Sequence, residues 1–130
     1  MKRKYSERVK RPDILYGKTM LAATACGNIY VTFNYDSNDN PLELFSSLGK
    51  AGICASSQCA AIGRVSSYFL QIGGNPEDLV KALKGVFCHL GERSCSNAIG
   101  EVIEKILKIK EEEMRSIISD AVPVLHTEEG

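Results

Sequence analysis

The segment from residue 28 to residue 35 carries the pattern that most restricts the fold. Four of its side chains are large and apolar, and they alternate with more polar ones: Ile29, Val31, Phe33 and Tyr35. This period of two is typical of a strand that is buried on one face only. Such a strand has to pair with neighbouring strands and to pack its apolar face against a second layer. The pattern therefore predicts a small sheet with one covered face.

A strand is predicted on each side of this one. The run from Tyr16 to Cys26 suits a strand or a helix by composition, and its length and the strand that follows favour a strand. A turn cluster at residues 36–40, closed by Pro41, precedes alternating residues from Leu42 to Phe45. Three antiparallel strands joined in sequence are the predicted sheet.

The first of three predicted helices follows the glycines of the 49–52 segment. It is expected from about Ile53 to Gln71, where Gly73-Gly74 ends it. Four apolar residues recur at helical spacing and are expected to pack on the sheet: Ile62, Val65, Phe69 and Ile72.

Two more helices complete the predicted α+β fold, a small antiparallel sheet packed against about three helices. Asn75 and Pro76 are a strong helix start, as cap and first-turn proline, and Gly85 is a stop. A third helix is expected from Ser96 toward Ile118. Its apolar stripe is long for so small a domain, so we predict a homo-oligomer.

The 130 residues predict one compact domain. We place it at residues 13–118, after a basic flexible arm at 1–12 and before a loose tail at 119–130. Sixteen basic and sixteen acidic residues cancel, so the whole chain lacks a nucleic-acid signature. The arm is interpreted as solvated, with a phosphate or nucleic-acid contact as the alternative.

The sequence also predicts where the protein works. No apolar run approaches the length of a membrane span, and the basic N-terminus lacks the apolar core of a signal peptide. We therefore expect a reducing, cytoplasmic compartment and no membrane partner. Five cysteines, an odd number, fit a closed disulfide framework poorly. Metal ligation or free thiols is the better explanation.

Four of the cysteines lie at the ends of predicted elements: Cys26, Cys54, Cys88 and Cys95. Cys54 and Cys95 each lie near a helix N-terminus, where the helix dipole favours the thiolate. Thiols at element ends, spread along the chain, can converge on one metal ion. No pair has the close Cys-x-x-Cys spacing, so the spacing alone leaves buried thiols, free thiols and redox chemistry open.

The fifth cysteine and the histidines are weaker candidates. Cys59 follows Cys54 by five residues, which turns a helix by about 500° and points the two side chains apart. We interpret Cys59 as core packing. His89 could replace a thiolate, but a sequence neighbour of Cys88 rarely reaches the same ion. His126 is interpreted as surface, and no catalytic triad or acid–base pair is readable around either histidine.

The run Gly49-Lys50-Ala51-Gly52 before a helix suits a bound phosphate. Glycines let the backbone approach, helix amides point outward, and Lys50 adds charge. Ser56, Ser57 and Arg64 are further candidates on the helix that follows. The run lacks the spacing of a Walker A loop, and a plain strand-to-helix connection is the alternative.

Several of these segments resemble the TSCPD domain, in order, between Arg11 and Lys105. The matching stretches are residues 25–32, 48–58, 61–64, 83–88 and 94–99. The name-giving motif reads Arg-Ser-Cys-Ser-Asn here, so its Pro-Asp is absent, and His89 stands where a proline is usual. That family occurs as a C-terminal module of adenosylcobalamin-dependent (class II) ribonucleotide reductases and as free-standing small proteins.

The resemblance implies that Cys26, Cys54, Cys88 and Cys95 act together. They would form a closed four-thiolate zinc site without an open position for catalysis, and iron or an iron–sulfur cluster would use the same ligands. It further implies an accessory module with a ribonucleotide reductase-like partner and no reductase activity of its own. A nucleotide- or phosphate-binding protein that uses the 49–52 loop, and a small thiol redox protein, are the alternatives.

Overall fold

A computed structural model describes residues 3–49, 54–89 and 91–129, with side chains described as far as residue 120. The strands are β1 (Tyr16–Thr24), β2 (Gly27–Tyr35) and β3 (Pro41–Leu48). The helices are α1 (Cys54–Gln71), α2 (Pro76–Leu83) and α3 (Cys95–Glu129). This arrangement confirms the predicted α+β class, and Asn75 caps α2 as predicted, by accepting a hydrogen bond from Glu77 N.

The sheet is antiparallel with the order β1-β2-β3. The four alternating apolar side chains of β2 are all buried, which confirms the predicted covered face. β1 and β2 form a hairpin in which Thr24 pairs with Gly27, so that only residues 25 and 26 lie between the strands. Gly27 has a φ of 126°, a conformation that favours glycine. The tight turn places Cys26 at the tip of the hairpin.

The covered face of the sheet packs against α3. Ile99, Ile103 and Ile106 of α3 are fully buried in one core with Ile29 and Phe33 of β2. α2 packs in turn on α3, as the second layer away from the sheet. The apolar stripe in the first half of the third helix is thus buried, and α3 is the helix that covers the sheet.

Helix α1 does not lie over the centre of the sheet but runs along the outer edge of β3. Ser67 Oγ accepts a hydrogen bond from Leu44 N at 2.9 Å and donates to Leu44 O, 3.1 Å away. Gln71 Nε2 donates to Leu42 O at 3.2 Å. A Cβ atom added at Gly63 would lie 2.9 Å from Leu44 O, so the glycine permits this close approach. The helix thereby covers an edge that would otherwise present unpaired peptide groups.

The predicted packing face of α1 is wrong for two of its four residues, whereas Ile62 and Phe69 do pack against the core. Val65 is 68% exposed and Ile72 is 45% exposed, while Ile62 and Phe69 are only partly buried. The buried residues of the helix are small apart from one: Cys59, Gly63, Ser66, Ser67 and Leu70. A strand edge admits a helix only where short side chains let the two backbones approach.

The two ends of the chain contain regular structure and contacts. α3 continues through residues 119–129, where a loose tail was predicted, and no glycine interrupts the chain between Gly100 and Gly130 to end the helix. In the basic arm, Val9 N donates to Gln71 O at 3.0 Å, and Arg8 lies 3.9 Å above the centre of the Tyr68 ring. None of the described helices has the length and apolarity needed to cross a membrane.

Candidate thiol site

The four cysteine-bearing segments meet at one end of the sheet. The hairpin tip with Cys26 lies beside the segment that leads into α3, because Ala25 N donates to Arg93 O at 3.0 Å. β3 leaves the sheet at this end, since Leu48 pairs with Ile29. α1 runs back along β3 from there, so its first residue, Cys54, starts at the same end.

The segment between α2 and α3 carries Cys88 and is fastened to the start of α3. Ser94 Oγ donates to Val86 O at 2.7 Å and accepts from Asn97 N at 3.2 Å, which caps α3. Asn97 Oδ1 accepts from Gly85 N at 2.9 Å, and its Nδ2 donates to Glu92 O at 3.0 Å. Sequence reasoning missed these two roles, although a serine just before a helix is a recognisable cap signal.

The thiols themselves differ in exposure. Cys54 and Cys88 are exposed, whereas Cys26 and Cys95 are partly buried against the core. Within the described ranges, no three His, Cys, Asp or Glu side chains are placed to hold a metal ion. The donor atoms suit zinc, but their placement does not form a ready-made site. The topology gathers the four predicted segments without bringing their four sulfur atoms into one coordination sphere.

Cys59 is the thiol at the centre of this region. Its side chain has no exposed surface, which confirms the interpretation as core packing. Burial, together with the neighbouring thiols of Cys95 and Cys26, raises the pKa of Cys59 to about 11. Sequence reasoning compared Cys59 only with Cys54 on its own helix. It therefore missed that the fold places Cys59 next to Cys95 and Cys26 from other elements.

Ser46 of β3 faces the same buried thiol. Its Oγ atom is buried without a hydrogen-bond partner among the described residues. The hydroxyl lies close enough to the Cys59 thiol to oppose part of the pKa increase, but their contact does not have the geometry of a hydrogen bond. A buried polar atom therefore lies unsatisfied beside the group of thiols.

The predicted phosphate loop lies largely outside the described residues, which exclude Lys50 and Gly52. Ser57 Oγ donates to Cys54 O at 2.9 Å, and Ser56 is partly buried. Arg64 is exposed on α1, about two turns beyond Ser57. The described residues therefore do not bring Arg64 and the serines together.

Arg64 instead borders a groove of about 420 Å³ between β3 and α1, with Phe45 and Tyr68 on its walls. Among the described side chains, His89 does not line this groove. His89 is exposed, and the side chain of His126 lies outside the described ones. The groove and the thiol region thus lie on different parts of α1.

A protein-family model for the TSCPD domain matches residues 3–107, most of the chain. The matched region includes all five cysteines and the whole sheet. No curated protein and no solved structure matches the chain. The comparison is therefore with the family as a whole.

Proposed function

Because the chain belongs to the TSCPD domain family, we propose that it is a cytoplasmic accessory module of a ribonucleotide reductase-like protein. The matched residues contain the sheet, α1 and α2, so the family resemblance covers the folded body and not a short motif. The described residues form one three-stranded sheet with three helices, which is the size of an accessory module and not of a catalytic barrel. The module would therefore act with a partner and not as an enzyme by itself.

We further propose that Cys26, Cys54, Cys88 and Cys95 bind one zinc ion. The observation that carries this proposal is the meeting of the four cysteine-bearing segments at the hairpin end of the sheet. The exposed side chains of Cys54 and Cys88 would have to turn toward Cys26 and Cys95, so binding would be coupled to local ordering. Iron would be held by the same thiolates, and metal analysis distinguishes the two.

Elemental analysis of protein purified without chelator tests this assignment. Wild-type protein is expected to hold one ion per chain, and serine at any of the four positions is expected to remove most of it. Cys59→Ser is the matched control, because Cys59 is buried in the core and is not assigned as a ligand. Full occupancy in both Cys54→Ser and Cys95→Ser would reject the shared site.

A nucleotide or another phosphate ligand is the second candidate function. Its support is Arg64, which is exposed at the groove beside β3 and has no ion pair with any described residue. If the 49–52 loop and Arg64 serve an anion, nucleoside di- and triphosphates should raise the melting temperature. Lys50→Ala should remove most of that gain, whereas a flat response up to millimolar concentrations would reject this function.

We also propose that the protein forms a homo-oligomer through the distal half of α3. Met114, Ile117 and Ile118 are exposed there, and the remaining side chains of residues 111–120 are exposed as well. The sheet and α2 cover only the first half of the helix, where Ile99 and Ile106 are buried. A second copy would remove the uncovered apolar side chains from water.

A further inference from the structure

We propose that the open face of the sheet binds single-stranded RNA along a stripe of three exposed rings. The stripe consists of Tyr30 of β2, Phe45 of β3 and Tyr68 of α1, each about half exposed. α3 covers the opposite face of the sheet, where the apolar side chains of β2 are buried. The proposal rests on neither the zinc site nor the reductase-like partner, and it shares only Arg64 with the second candidate function.

The strand register aligns the members of this stripe. On the open face, Tyr30 pairs with Ser47 and Phe45 pairs with Thr32. The two rings are therefore diagonal neighbours on adjacent strands, a distance that aromatic side chains can span. Phe45 and Tyr68 in turn line the same groove between β3 and α1. Three neighbouring elements thus present one continuous aromatic platform to solvent.

The charges beside the platform favour a nucleic acid over a protein as its occupant. Arg64 is exposed and lines the groove one helical turn before Tyr68. Arg8 of the basic arm lies 3.9 Å above the centre of the Tyr68 ring. The one acidic residue that lines the groove, Glu43, is neutralised by Arg11 at 2.7 Å. The charges left to attract a ligand here are therefore positive and suit phosphate groups.

The zero net charge of the chain does not argue against this ligand, because the fold separates the two signs of charge. The glutamates of the 111–113 run belong to α3, the helix on the covered face. The basic arm is bonded instead to α1 and β3, through Val9 N and Arg11. The balance over the whole sequence thus hides a basic margin beside the exposed rings.

The platform offers each part of an RNA strand a matching group. The faces of the rings can stack on unpaired bases, an interaction that tolerates any sequence. Arg8 and Arg64 can bind the phosphates that link those bases. The direct cross-strand partners of the two sheet rings, Ser47 and Thr32, both carry hydroxyl groups. A hydroxyl beside a stacked base is placed to bond the ribose 2′-OH, which distinguishes RNA from DNA.

Fluorescence anisotropy with a labelled oligouridine of about ten nucleotides tests the proposal. The wild type is expected to bind this strand at least about fivefold more tightly than an RNA duplex of the same length, because paired bases cannot stack on the rings. An oligothymidine DNA strand should bind more weakly than the RNA strand. Equal affinity for strand and duplex would overturn the platform, and equal affinity for RNA and DNA would overturn the assignment to RNA.

Two ring variants locate the binding surface. Tyr30→Ala and Phe45→Ala should each weaken binding of the oligouridine at least about fivefold, the effect of one lost stacking contact. Tyr16→Ala is the matched control, because Tyr16 is a similarly exposed ring of β1 that pairs with Tyr35 on the covered side. Circular dichroism confirms that each variant is folded. Unchanged binding in both ring variants, or an equal loss in Tyr16→Ala, would overturn the proposal.

The salt dependence of binding tests the phosphate contacts. For Arg64→Ala, the slope of log affinity against log salt concentration should become shallower by about 0.7, the value for one phosphate contact on a single strand. Arg115→Ala removes an exposed arginine of α3 and should leave the slope unchanged. An unchanged slope in Arg64→Ala would overturn the charge argument for a nucleic acid.

Three further outcomes would assign the surface to another ligand and overturn the proposal. Uridine monophosphate that displaces the strand at an equal nucleotide concentration would indicate a site for one nucleotide. Binding that is lost in Lys50→Ala but kept in Phe45→Ala would place the ligand at the 49–52 loop. Light scattering that shows a lower oligomer mass for Phe45→Ala than for the wild type would identify the platform as a contact between two copies. The expected result is that Lys50→Ala binds the strand as the wild type does.

Discussion

The hydroxyl of Ser67 lies against both peptide groups of Leu44: it accepts a hydrogen bond from Leu44 N at 2.9 Å, and its single proton is shared between Leu44 O at 3.1 Å and Gly63 O at 2.9 Å. Both groups point away from β2 toward α1. One short side chain thus satisfies two peptide groups at the edge of the sheet and fixes the position of α1, which carries Cys54 and Cys59.

Replacing Ser67 with alanine should destabilise the protein more than the loss of one small hydroxyl group would suggest. Ser67→Ala leaves Leu44 N and Leu44 O buried without their partner, and we expect a loss of about 1–3 kcal/mol in the free energy of unfolding. Chemical denaturation measures the difference. Ser57→Ala, at an exposed position of the same helix, is the control and should stay within about 0.5 kcal/mol of the wild type. Equal stability of the two variants would contradict the edge contact.

Gly63→Ala should destabilise the protein although alanine is the better helix former. In an open helix the change would gain roughly 1 kcal/mol. Here the new methyl group would meet Leu44 O at 2.9 Å and push α1 away from β3. Thermal and chemical unfolding should both show a net loss. A more stable Gly63→Ala protein would mean that the helix can move aside freely.

Glu43 should make the stability depend on pH in the acid range. Burial acts to raise the pKa of this carboxyl group, but hydrogen bonds from Arg11 and Asn34 outweigh it and hold the pKa below its ordinary value of 4.5. A lowered folded-state pKa contributes stability above the unfolded-state pKa, and this contribution is lost as the pH falls through the folded-state value.

Glu43→Gln should therefore flatten the decline in unfolding free energy as the pH falls below about 4.5. Denaturant titrations at a series of pH values measure the slope. Glu7→Gln, an exposed position on the basic arm, provides the matched control. Parallel curves for wild type and Glu43→Gln would show that the contact between Arg11 and Glu43 is not kept in solution.

Replacing Asn97 should lower the free energy of unfolding and loosen the segment that carries Cys88. Asn97→Ala removes the bonds to Gly85 N and Glu92 O, and the loss is expected to reach about 1–3 kcal/mol because the side chain is buried. Hydrogen exchange should rise in residues 84–94. Ser96→Ala, one position earlier on α3, tests whether any change at this helix start has the same effect. Unchanged hydrogen exchange of residues 84–94 in Asn97→Ala would show that the Asn97 side chain does not hold this segment in place.

Ile117→Glu together with Ile118→Glu should produce a monomer if the distal half of α3 pairs with a second copy. Light scattering of the wild type at micromolar concentration should give a mass above 14.2 kDa, and the double variant should fall to that value. Val65→Glu alters an equally exposed apolar residue on α1 and should not change the mass. A monomeric wild type would reject self-association.

The sequence was most informative where periodicity decides burial. The alternation along β2 requires one covered face, so the sheet and its order could be predicted from local pattern and turn residues. The face of α1 could not be predicted in this way, because a period of 3.6 residues identifies an apolar stripe but not the surface that the helix meets. Val65 is exposed since α1 meets a strand edge, where Gly63 and Ser67 fit and larger side chains do not.

The thiol region also shows that local sequence patterns do not predict which elements meet. The ends of elements were readable from glycines and caps, so four cysteines could be placed at element ends. That their segments lie at one end of the sheet was implied only by the family resemblance. The neighbourhood of Cys59 depends on how α1 and α3 are placed against each other. That placement follows from contacts between distant residues, which no local spacing along the chain records.

The length of α3 places its two proposed binding regions far apart. Cys95 begins the helix, and the exposed residues Met114 and Ile117 lie roughly 30 Å further along it at 1.5 Å per residue. A second copy or another protein that binds the far end of this helix would not contact the cysteines. The helix would then hold the module at a distance from its partner and leave the cysteine end accessible to metal ions.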